Sequence, residues 1–135
     1  MGWFNRCAIE PIKNAKLKVK KDILPRTFDF GIAIIELVRQ LPRETASYVL
    51  GRQLLRAGTS IAANVEEAQA GVSRADFSNK IGIALKEARE TNLWLRFINK
   101  AEVVNSSRIQ PLIDESEQIK KILGSICKKV NLGAN

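Results

Sequence analysis

Apolar residues recur along this chain at spacings of three and four, in successive blocks bounded by proline, glycine or serine, and each block predicts an α-helix. The first runs from Thr27 to Leu41, with Phe30, Ile34, Leu37, Val38 and Leu41 on one face and Pro42 closing it. Ile32 and Ile35 lie off that face, so this helix is expected to be buried on more than one side. The second follows Pro42 and continues to about Gly71, through Leu50, Leu54, Ala57, Ile61 and Ala68. Ser73 reads as an N-cap, with Asp76 three positions on, both favourable at the positive end of a helix. From there Phe77, Ile81, Ala84, Ala88, Thr91, Leu95 and Ile98 form a seam ending near Ala101. The fourth helix opens near Ser106 or Ser107 and carries Ile109, Leu112, Ser116, Ile119, Leu123, Ile126 and Val130 to Asn131 and Gly133. Past residue 26 no alternation of period two competes. The expectation is therefore all-α: an antiparallel up-down-up-down four-helix bundle occupying residues 27–135 as one domain.

Residues 1–26 break the pattern. They hold seven basic side chains against two acidic ones, and Lys16 to Lys21 alternate Lys with Leu17 and Val19 before Pro25 interrupts. A basic N-terminal leader, as a mobile arm or short strand, is expected there.

Over the whole chain, 22 Lys and Arg oppose 14 Asp and Glu, a net charge of +8, which attracts polyanions: nucleic acid, or an anionic membrane surface. Solubility alone is the competing explanation. On the third helix, Lys86, Arg89, Arg96 and Lys100 fall opposite the apolar seam and form one basic stripe, the arrangement that phosphate contacts require. Arg52 and Arg56 on the second helix join them as candidate nucleic-acid-binding residues, against the ordinary alternative of a solvated charged face. Arg43, Lys120, Lys121, Lys128 and Lys129 add to the balance. With only 6% aromatic residues, contact with backbone or shape is expected rather than base stacking.

Ile83, Trp94 and Phe97 lie well off the third helix's seam, with Leu93 and Leu85 on the other flank, and a single bundle cannot bury all of them. Ile83, Leu93, Trp94 and Phe97 are therefore the candidate oligomer interface, the alternative being that Trp94 caps the edge of the core. Ala57, Gly58, Thr59, Ser60, Ala62 and Ala63 place six small residues in one helix, which lets a neighbouring backbone come close. Asn64, on the flank of that seam, is expected to fix helix register.

The chain has no histidine, which removes the commonest general base and the commonest metal ligand together. Glu66, Glu67, Glu87 and Glu90 invite comparison with di-metal bundles, but the histidines are missing, and salt bridges with Arg52, Arg56 or Arg89 account for them more simply. Neither a GxxxxGK[ST] loop nor a GxGxxG occurs. No enzyme class is indicated, and no cofactor or metal is expected. Cys7 and Cys127 lack the spacing of a disulfide framework and read as reduced thiols. No apolar run reaches membrane-spanning length, so a cytoplasmic protein without membrane association is expected.

The stretch Gln53-Leu54-Leu55-Arg56-Ala57, then Ser60-Ile61-Ala62-Ala63-Asn64-Val65-Glu66-Glu67-Ala68, then Ser73 with Asp76-Phe77, resembles the bacterial four-helix-bundle proteins encoded in 23S rRNA intervening sequences. The run Ile83-Ala84-Leu85-Lys86-Glu87-Ala88-Arg89-Glu90-Thr91-Asn92-Leu93-Trp94-Leu95 resembles the matching third-helix signature, and the likeness covers about residues 24–130. The resemblance implies a ring-like homopentamer of bundles with a positive surface, a role in binding nucleic acid and no catalytic residues. A related group, the accessory proteins of diversity-generating retroelements, implies a partner protein such as a reverse transcriptase. The commoner family form has Gly after the Ala-Glu that follows Asn64; Val65, Glu66, Glu67 and Ala68 stand here, marking a subgroup. The expected function is thus a non-enzymatic, self-associating bundle that binds RNA, with DNA as the second choice, the alternative being a protein-interaction module whose charge serves solubility.

Overall fold

The structure, a computed structural model, describes residues 15–133, with side chains from 23 to 131. Its helices are α1 (Ala15–Arg39), α2 (Thr45–Gln69), α3 (Arg74–Lys100) and α4 (Ser106–Gly133), joined by the short segments 40–44, 70–73 and 101–105. Each helix packs on the next, and α4 returns to α1 to close the bundle. Contacts run in opposite senses along neighbouring helices. Ile34 meets Gly58 where Leu41 meets Gly51, and Asn92 reaches Ser116 where Ser78 reaches Asn131, as antiparallel pairs require.

The core is the expected one with additions, except that Val38, Leu41, Leu50 and Leu112 are only half-buried at its edge. Phe30, Ile34 and Leu37 of α1, Leu54, Ala57, Ile61 and Ala68 of α2, the whole α3 seam, and Ile109, Ile119, Leu123, Ile126 and Val130 of α4 are buried. Val65 and Ile113 join them, each four residues after one core position and three before the next: Val65 between Ile61 and Ala68, Ile113 between Ile109 and Ser116.

The boundary expected at residue 26 falls inside α1, which is continuous from Ala15. Pro25 reads as an interruption because it lacks the N–H that bonds back one turn and its ring crowds the carbonyl there. Tertiary contacts on either side override that local preference. Ile23 is wholly buried in the core, and Arg26 makes a two-point contact with Glu115 of α4, its Nε and Nη2 donating at 2.8 and 2.9 Å. The Thr27 hydroxyl, also buried, donates to the Ile23 carbonyl at 2.9 Å.

The ends of α3 follow from capping chemistry. Ser73 Oγ accepts the Asp76 N–H at 3.1 Å, as the sequence predicts. At the other end Glu102 adopts φ 56°, the Val103 N–H reaches the Ile98 carbonyl at 3.2 Å, and the Glu102 N–H reaches that of Asn99 at 3.0 Å. This is the Schellman arrangement, in which a left-handed residue turns two N–H groups back onto otherwise unsatisfied carbonyls. Glycine usually fills that position, and Glu102 fills it here against steric preference. Glu102→Gly should therefore raise unfolding stability by about 1 kcal/mol, read as a higher urea midpoint.

The small residues of α2 serve α1. A Cβ added at Gly58 would sit 2.9 Å from Ile34 Cγ2 and 3.0 Å from its Cγ1, so Ile34 occupies the space a side chain would need. Gly31 is different, since its added Cβ would find Thr59 Cα at 3.9 Å and the Gly58 carbonyl at 4.0 Å, ordinary contact distances. Gly58→Ala is expected to destabilise, because overpacking of about 1–3 kcal/mol outweighs the helix-propensity gain of about 1. Gly31→Ala should be neutral or stabilising, and thermal unfolding of the two variants side by side distinguishes them.

Candidate nucleic-acid interface

The single buried stripe of α3 divides the rest of that helix into two flanks. On one, Glu87 and Glu90 face α2, where the Arg56 guanidinium bridges both: Nη1 to Glu87 at 3.1 Å and Nη2 to Glu90. Arg56, a candidate phosphate contact from its sequence position, is thereby committed to an intramolecular cluster, and Arg52, one turn before it, remains exposed. The same cluster accounts for two of the four glutamates compared with di-metal bundles. Among the described residues no group of three His, Cys, Asp or Glu side chains is placed to hold a metal ion.

Lys86, Arg89, Arg96 and Lys100 are all exposed on the remaining surface of α3, and none has a carboxylate ion-pair partner among the described residues. Arg89 borders α4. The Arg89 charge is felt at Cys127 of α4, a half-buried free thiol that burial pushes above its ordinary pKa while Arg89 pulls it down. Arg96 Nε donates to Asn92 Oδ1 at 2.8 Å. Asn92, only 1% exposed, in turn donates through Nδ2 to Ser116 Oγ at 2.8 Å and to Glu117 Oε2 at 3.0 Å, and Ser116 donates to the Ile113 carbonyl at 2.7 Å. Buried polar groups in the interior need full pairing, and this chain of bonds pins α3 to α4 in one register. On α4, Lys120 pairs with Glu117 at 3.3 Å, whereas Lys121, Lys128 and Lys129 are exposed.

The register role expected of Asn64 is thus held by Asn92. Asn64 bonds within its own helix, donating to the Ser60 carbonyl at 2.8 Å. Spacing marks Asn92 as a flank residue next to the seam, and only its Ser116 partner, an interruption in the apolar run of α4, signals it in the sequence.

The candidate interface residues separate by burial. Trp94 and Ile83 are half-buried, with Trp94 packed against the core as an edge cap, while Leu93 and Phe97 are exposed and, four residues apart, lie on the same flank rather than on the opposite ones expected. A second apolar area opens between α1 and α2, around the two residues that spacing sets off the α1 seam: Ile32 is exposed and Ile35 half-buried, so the expected burial of α1 on a second side is not met within the bundle. The area is a cavity of about 250 Å³ lined by Phe28, Gly31, Ile32, Ile35, Thr59 and Ala62.

Both halves of the bundle carry a basic excess. Residues 72–133 hold eleven Lys and Arg against seven Asp and Glu, and residues 15–71, from the start of α1, hold nine against six. The fold is therefore a four-helix bundle with an apolar groove between α1 and α2 and a stripe of exposed cations on α3. The chain belongs to the family of 23S rRNA-intervening sequence proteins, matching it over residues 20–125. It is similar to a protein of unknown function from the S23 ribosomal protein family of Bacteroides thetaiotaomicron, known from a crystal structure. The two share 38% sequence identity and a TM-score of 0.76, over 82% of this chain and 98% of that one. No curated protein matches the chain. No helix among the described residues is long and apolar enough to cross a membrane. Cys7 and most of the basic leader lie outside the described residues.

The raised pKa of Cys127 leaves less thiolate at a given pH, so in a Cys7→Ser background its alkylation by iodoacetamide at pH 8 should be slower than that of a free cysteine peptide. Arg89→Gln removes the opposing charge and should slow it further. A faster reaction in that variant would remove Arg89 from the neighbourhood of α4.

Proposed function

We propose that this chain is a non-enzymatic bundle that assembles with copies of itself and binds nucleic acid, RNA foremost, through phosphate contacts on its α3–α4 side. The observation that carries this reading is the sorting of charge on α3. Glu87 and Glu90 are drawn to Arg56 on one flank, and Lys86, Arg89, Arg96 and Lys100 are left exposed without carboxylate partners among the described residues. Cations held on a rigid helix at a repeating spacing displace counterions from a phosphate backbone, and that release drives sequence-independent binding. Self-association draws support from the α1–α2 groove, which is lined by apolar and small side chains with Glu66 as its one charged residue. Copies meeting there would leave the basic stripe of α3 outward. The competing reading, a protein-interaction module whose charge serves solubility, draws on the exposure of Leu93 and Phe97 and entails little salt dependence.

Binding to a structured RNA and to duplex DNA should be measured across a salt series, for the wild type and for a variant combining Lys86→Glu, Arg89→Glu, Arg96→Glu and Lys100→Glu. The expected result is a steep fall of log K with log salt in the wild type. The variant should show a slope shallower by roughly one unit for every phosphate these side chains neutralise, with the assembled mass by light scattering unchanged. No binding of either polymer by the wild type at low salt overturns the proposal.

A further inference from the structure

Four residues of the basic stripe region stand at spacings of three and four on the last two turns of α3: Leu93, Arg96, Phe97 and Lys100 share one face. With Asn99 they line a surface cavity of about 430 Å³, within the range of small-ligand sites. We infer that this cavity is a subsite for one unstacked nucleotide of a single strand, the base lying on Phe97 and its phosphate held by Arg96 and Lys100. The inference rests on the nucleic-acid reading above and adds to it a contact that phosphate binding alone does not require.

Phe97 is half exposed, an apolar ring set among cations. It is braced rather than loose: Trp94, one turn earlier and packed against the core, meets it with ring centroids 5.9 Å apart and planes tilted by 37°. An aromatic face held in place at a wet surface is a stacking platform, and every base has a π-face to offer it. Arg96 is held as well. Its Nε is committed to Asn92, whose amide is locked by Ser116 and Glu117, so the outer guanidinium nitrogens are presented in a fixed direction. Glu117 is the carboxylate of this network, and its charge is shared by Lys120 at 3.3 Å. The carbonyl end of α3 repels anions, but the Phe97, Ile98 and Asn99 carbonyls already accept N–H groups from Ala101, Val103 and Glu102, and Lys100 adds its own cation there. Aromatic, arginine and lysine side chains around one nucleotide-sized space match a base with its phosphate. A duplex keeps its base faces stacked inside, so only a single strand, a loop or a bulge can use Phe97.

The test is fluorescence anisotropy with an unstructured RNA of about 12 nucleotides and with the blunt duplex of the same sequence, for the wild type and for Phe97→Leu, which keeps an apolar side chain on the helix. Phe97→Leu should weaken single-strand binding about tenfold, the size of one base stack, while duplex binding, the salt slope and the assembled mass stay unchanged. Single-strand binding by Phe97→Leu at wild-type strength, beside a steep wild-type salt slope, overturns this inference and leaves the phosphate reading standing. A smaller assembled mass in the variant overturns it too, by making Phe97 a contact between copies. A wild type that binds neither RNA overturns both readings.

Discussion

Because α3 buries Phe77, Ile81, Ala84, Ala88, Thr91, Leu95 and Ile98 in one stripe against both α2 and α4, every other residue of that helix is assigned to a flank. The stripe has the 3.6-residue period of the helix itself, so the division leaves little freedom. Glu87 and Glu90 fall toward α2 and find Arg56; Arg89 falls near the Cys127 thiol of α4, and Arg96 bonds the Asn92 amide of its own helix, instead of carboxylates. The sorting of charge around α3 is a consequence of which side of that helix faces inward.

Two further constraints fix how the remaining helices meet that stripe. Between α1 and α2 the constraint is steric. Gly58 has no side chain where Ile34 stands, and the two backbones approach closely enough for Gly31 to lie near Thr59. Between α3 and α4 it is polar, since Asn92 and Ser116 would be left with unsatisfied groups in the interior if either helix slid by a turn. The same asparagine holds Arg96, so the bond that sets register also sets the direction of a surface cation. Asn92 therefore links the packing of the bundle to the face proposed for nucleic acid.

The sequence by itself determined the four helices, the ends of α2, α3 and α4, the α3 seam and the Ser73 cap, because periodicity and capping are local and each is repeated several times along the chain. It also led to the family, through motifs that span the second and third helices. It misplaced the start of α1, where Pro25 reads as a break until Ile23 and the Arg26–Glu115 contact are seen to hold the helix through it. The tertiary structure alone decided that Arg56 is spent on Glu87 and Glu90, that Asn92 rather than Asn64 sets register, and that Phe97 lines the same cavity as Arg96 and Lys100. The reason is physical: a single helix shows which residues share a face, but which face meets which neighbour, and so which charges are neutralised, is fixed only when the helices pack.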